Sequence, residues 1–134
     1  MGKSRAVLTI VRDESTFFPI WLQYYGQFFA PEDTYVLDHG TTDGSTDRDG
    51  FVRTPVEHDT VDHNWMRKTI QAKQHELIER YDVVLITDVD EIVAPDPSTG
   101  SLGDFIDSFE EEFVNCRGYE VMHQREREAP IDLD

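Results

Sequence analysis

Three short apolar runs break off abruptly into polar clusters, and this repeated break constrains the fold more than any other feature of the chain. Residues 6–11 (Ala-Val-Leu-Thr-Ile-Val) lead into Arg12-Asp13-Glu14-Ser15, residues 34–37 into Asp38-His39-Gly40, and residues 83–86 (Val-Val-Leu-Ile) into Thr87-Asp88-Val89-Asp90-Glu91. Runs of this length and β-branched content read as covered strands once their flanks are considered. Asp82 precedes the last run, and the breaker Ala94-Pro95-Asp96-Pro97 follows it. Between the runs the apolar period changes. Phe18, Trp21, Leu22, Tyr25 and Phe29 recur at three- and four-residue steps, which predicts a helix whose stripe faces the core. Its N-cap falls at Ser15 or Thr16, with Pro19 tolerated in the first turn.

Asp62 is placed to cap a second helix over residues 63–80, with Met66, Ile70, Leu77, Trp65 and Ile78 facing inward. Residues 51–56 form a further strand candidate, and Pro55 suits it to a sheet edge. A short helix over residues 102–109 and a strand over residues 113–122 complete a β-α-β-β-α-β-α-β order. The expectation is one α/β domain over residues 1–134 with an open, largely parallel sheet and flanking helices, and a poorly ordered tail from about residue 125. Ligands of such sheets bind outside the carboxyl ends of the strands. All three polar clusters fall there, which marks a composite site.

Asp88 and Asp90 are the leading candidates within it. If extended geometry persists past Ile86, two residues apart means the same side of the chain, and oxygen-only ligands favour Mg²⁺ or Mn²⁺ over zinc. Residues 38–45 combine hydroxyl and carboxyl side chains with two glycines, a composition open both to ligand contact and to a plain turn. Arg12 and Glu14 carry the same ambiguity. The five histidines show no HxxxH or HxH spacing, and the chain contains no Walker-type loop, no GxGxxG and no nucleophile elbow. The lone Cys116 forms no intrachain disulfide and is expected to be a small buried hydrophobe.

Asp and Glu outnumber Lys and Arg by 28 to 12, for a formal charge of -16. That balance disfavours nucleic acid and anionic lipid as partners. A phosphorylated ligand then needs a local cation, which a metal supplies. No apolar segment has the length of a signal peptide's core or of a membrane span, so a soluble, cytoplasmic protein is expected.

The ordered set Val11-Arg12-Asp13-Glu14, Trp21-Leu22, the Asp38 to Ser45 segment and Thr87-Asp88-Val89-Asp90-Glu91 resembles the N-terminal, nucleotide-sugar-binding half of family 2-like glycosyltransferases of the GT-A fold. The likeness spans roughly residues 5 to 123. It implies a GT-A, Rossmann-like domain, truncated relative to that family, that takes a nucleoside diphosphate sugar with Mg²⁺ or Mn²⁺. By this resemblance Asp90 coordinates the metal bridging the donor diphosphate, Asp88 holds the metal or the ribose, and Asp38 contacts the nucleoside. Arg12 to Glu14 line the same pocket, and Arg67, Lys73 and Gln74 are further donor contacts. Asp13 and His39 depart from the family's usual residues and put base specificity in question.

The implied function is metal-dependent transfer of a sugar to an unknown acceptor, a glycan or a lipid-linked one, by an enzyme or by its donor-binding half. The general base is not identified, since nothing selects among Glu120, Glu126 and Glu128. Two other readings stand beside it. One is a noncatalytic GT-A-like nucleotide- or glycan-binding module, and the other is an Asp-x-Asp phosphotransferase.

Overall fold

A computed structural model describes residues 2–124, 126–130 and 132. The expected loose tail begins at Arg125, which lies outside the described residues, as do Met1, Ile131, Leu133 and Asp134. The described elements are β1 (Arg5–Val11), α1 (Phe17–Tyr25), β2 (Thr34–Asp38), β3 (Val52–Pro55), α2 (His63–Ile78), β4 (Val83–Ile86) and α3 (Leu102–Ser108). The four strands form one parallel sheet in the order β3-β2-β1-β4. This is the open parallel α/β architecture that the alternating pattern predicts. Pro55 indeed lies on an edge strand, where its missing N–H breaks no interior ladder.

Helices cover both faces, and the alternation along β1 assigns its side chains to each. Val7 and Val11 pack with Phe18, Trp21, Tyr25, Leu102 and Ile106, so α1 and α3 share one layer. Ala6, Leu8 and Ile10 point the other way and pack with Tyr35, Leu37 and Leu77 beneath α2. Asp62 caps α2 as predicted, its carboxylate accepting from the amides of Asn64 and Trp65 at 2.8 and 3.2 Å. Thr16 occupies the N-cap of α1 without a side-chain bond. Among the described residues, no helix is long and apolar enough to cross a membrane.

Three expectations fail for one reason, the lack of a covering layer. Residues 113–122 form no strand. They pair with no neighbour in the sheet, and Tyr119, Val121 and Met122 are 76% or more exposed. β-rich composition without a hydrogen-bonding partner leaves extended chain only. Cys116, in the same segment, is exposed rather than buried. Ile78 closes α2 facing solvent, while Leu77 beside it takes the core position.

Leu77 anchors α2 with no exposure at all. Leu77→Ala is expected to lower the unfolding free energy by about 3 kcal/mol through lost transfer and a residual cavity, read from urea denaturation.

Candidate functional site

The parallel register brings the three clusters to one edge. Val11 lies opposite Asp38 and Leu8 opposite Ile86. The His39 amide donates to the Val11 carbonyl at 2.9 Å, and the Thr87 amide donates to that of Leu8 at 3.2 Å, each extending the pairing by one residue. Residues 12–14, 38–40 and 87–88 therefore leave the same carboxyl edge of the sheet. α2 starts from that edge and runs back, so Arg67, in its second turn and exposed, stays nearer the edge than Lys73. Lys73 pairs with Glu76 and lies 5.2 Å from the Tyr35 ring centre, toward the opposite end of the sheet with Gln74 beside it.

The acidic segment is a turn and not a continued strand. β4 stops at Ile86, and the Glu91 amide donates to the Asp88 carbonyl at 3.1 Å. Val89 is buried in the α1 layer, and Asp88 and Asp90 on either side of it are exposed. The turn is held from α1. Trp21 Nε1 donates to Thr87 Oγ1 at 2.8 Å, and the Tyr25 hydroxyl donates to the Glu91 carbonyl at 3.0 Å while accepting from the Val93 amide at 2.9 Å. Tyr24 donates to the Val93 carbonyl at 2.9 Å, and Thr9 Oγ1 donates to the Thr87 carbonyl at 2.8 Å. Sequence reasoning treats this aromatic stripe as core alone. The available signal was chemical: buried Trp and Tyr carry polar tips that seek partners.

Two other acids build the opposite wall. Asp38 is 1% exposed and both its oxygens are engaged within the protein. Oδ1 accepts from the Thr41 amide at 3.0 Å, while Oδ2 accepts from Thr46 Oγ1 at 2.8 Å and Arg53 Nε at 2.6 Å. Burial raises its pKa, but the bonds from Thr41, Arg53 and Thr46 outweigh that and hold it at about 2. Arg53 is a participant that the sequence reading missed. Asp13 Oδ1 gathers the amides of Thr42 and Asp43 at 2.6 and 3.1 Å, which keeps its carboxyl below the usual range. It does so from a left-handed backbone, φ 53°. His39 is buried, bonded through Nε2 to the His58 carbonyl at 3.0 Å and packed 4.6 Å from the Trp65 ring.

Glu14 lies within electrostatic reach of both Asp90 and Asp43. Partial burial raises the Glu14 carboxyl, and the charges of Asp90 and then Asp43 raise it further. Arg12 is exposed and assists the ionisation of Asp13. The expected metal cluster is not present as a closed protein cage. Among the described residues, no group of three or more His, Cys, Asp or Glu side chains is arranged to hold a metal ion. Of the late carboxylates, Glu120 and Glu126 are exposed, and Glu128 accepts from the Gln124 amide at 2.7 Å.

No family model matches the sequence, and no curated protein matches it. Among solved structures, the chain is similar to the mannosyltransferase PcManGT from Pyrobaculum calidifontis, determined in complex with GDP-Man and Mn²⁺, at 21% identity and a TM-score of 0.48. The match covers 74% of this chain and 30% of that protein, so the chain spans under a third of its length.

Because Asp38 has a folded pKa depressed from 3.8 to about 2, its contribution is present above the unfolded value and lost as pH falls through the folded one. Asp38→Asn is expected to cost roughly 2 kcal/mol at neutral pH. The difference from wild type should shrink between about pH 5 and about pH 2, as measured by denaturant unfolding across that range.

Proposed function

We propose that the chain is a nucleotide-binding module of the open α/β type, which takes a nucleoside diphosphate or its sugar ester at the carboxyl edge of β1, β2 and β4. One observation carries the reading. Asp88 and Asp90 stand exposed on either side of the buried Val89, on a turn fixed at both ends, with Asp90 in electrostatic reach of Glu14. Mg²⁺ is commonly held by one or two carboxylates with the remaining positions filled by substrate phosphates and water. Two aspartates without a third protein ligand fit that mode and not a dedicated cage. When bound, Mg²⁺ or Mn²⁺ supplies positive charge to a diphosphate that otherwise approaches a protein of formal charge -16.

In this reading Asp88 and Asp90 hold the metal. Arg12 and Arg67 are exposed cations that would meet the ligand's phosphates. Asp38 acts within the wall, fixing Arg53 and the loop that carries Thr41 and Thr46, while Glu14 and Asp43 line the floor between the clusters.

A second reading makes the chain the donor-binding half of a metal-dependent glycosyltransferase. The order of its strand-terminal motifs between residues 11 and 91, which resembles that family's, favours it. There the metal stabilises the diphosphate as leaving group. Transfer of sugar to a glycan or lipid-linked acceptor, or hydrolysis of a nucleotide sugar, separates the two readings.

Thermal unfolding with UDP, GDP, dTDP and ADP, each with and without Mg²⁺ or Mn²⁺, tests the binding. At least one nucleotide is expected to raise Tm only when the metal is present, and Asp90→Asn to abolish that increment. A panel with no metal-linked rise overturns the reading.

A further inference from the structure

We propose that α1 is the positioning element of the carboxylate turn, with Tyr25 and Trp21 setting the geometry in which Asp88 and Asp90 are presented. The functional consequence rests on the nucleotide-binding reading above, whereas the mechanical part stands on contacts alone.

Trp21 and Tyr25 are one helical turn apart and neither has any exposure. Their polar atoms reach across to the two ends of a single short segment. Trp21 Nε1 holds Thr87, the residue before Asp88, and the Tyr25 hydroxyl holds Glu91, the residue after Asp90. The same hydroxyl also accepts from the Val93 amide, so it spans a two-residue step of backbone with both of its hydrogen-bonding roles filled. Val89 closes the arrangement by burying its side chain in the α1 layer. Three anchors at two-residue spacing, Thr87, Val89 and Glu91, leave the turn little freedom. Nothing from the sheet does this beyond Thr87, because β4 ends at Ile86.

A metal shared between two carboxylates and a ligand depends on how those carboxylates are held. Outer-shell groups that orient ligands change affinity by about 10- to 100-fold when removed. Tyr25 reaches the turn through backbone atoms and touches neither carboxylate, so it is a positioning residue. It leaves the number and charge of the donor groups unchanged and governs their spacing.

Three readouts on Tyr25→Phe test this. The amides of Glu91 and Val93 are expected to exchange with solvent about tenfold faster while those of β1 keep their protection. The Mn²⁺-dependent affinity for whichever nucleoside diphosphate the panel selects is expected to fall by about tenfold, with metal-independent binding unchanged. Tyr81→Phe provides the control. It removes a tyrosine hydroxyl bonded to the Asp33 carboxylate at 2.7 Å and to the Tyr35 hydroxyl at 2.9 Å near the far end of the sheet, and is expected to leave both quantities as in wild type. If Tyr25→Phe does not fold, Tyr24→Phe, which removes only the bond to the Val93 carbonyl, takes its place with a smaller acceleration at residues 91–93. Unchanged exchange at Glu91 and Val93 in a folded variant overturns the proposal. An equal loss of affinity in Tyr81→Phe overturns it too. If wild type binds no nucleotide with Mn²⁺, the nucleotide reading fails, and the exchange comparison still decides the role of α1.

Discussion

Complete burial of Trp21 and Tyr25 imposes the requirement on which the site depends: each carries a polar atom that an apolar layer leaves unpaired only at a cost of about 1–3 kcal/mol. The partners come from the chain after β4. Thr87, Glu91 and Val93 supply them, and the path of the segment past α1 satisfies both tips at once. Val89 then falls into the same layer with Leu102 and Ile106. A stretch without regular secondary structure is thereby tied to α1 at both ends.

The opposite wall uses charge where this one uses aromatic tips. The buried Asp38 and the exposed Asp13 collect amides, hydroxyls and the Arg53 guanidinium, which ties residues 41–46 to the edge. Gly40 and Gly44 take the left-handed conformations this path needs, at φ 65° and 79°. Asp13 tolerates the same region because its short carboxylate bonds nearby amides. Two of the edge acids thus hold the loop, Asp38 through both of its oxygens and Asp13 through Oδ1.

That division explains what the sequence disclosed and what it hid. The strands leading into Arg12, Asp38 and Asp88 were legible because parallel topology sends every polar strand end to one edge. Asp62 was legible because a helix start needs an acceptor for its free amides. Residues 113–122 misled, since their composition is that of a strand while pairing depends on a neighbour that composition does not specify. At the site, the edge was readable and the orientation was not. Whether an aspartate faces ligand or wall is decided by donors such as Thr46 and Arg53, which lie 8 and 15 residues beyond Asp38.

Charge limits what the edge accepts. Glu14 already responds to Asp90 and Asp43 by holding its proton more tightly, so the acids repel before any ligand arrives. Each further negative charge about 5 Å from one of them costs about 3 kcal/mol at an effective dielectric near 20. Arg12, Arg48 and Arg67 are exposed, and the Nε of Arg53 is committed to Asp38. In the proposed reading a divalent cation between a diphosphate and the aspartates offsets this repulsion. A neutral glycan needs none, since its hydroxyls donate directly to carboxylates. Dependence on metal is consequently the property that separates a diphosphate ligand from a carbohydrate at this edge, because the same acids that repel one are acceptors for the other.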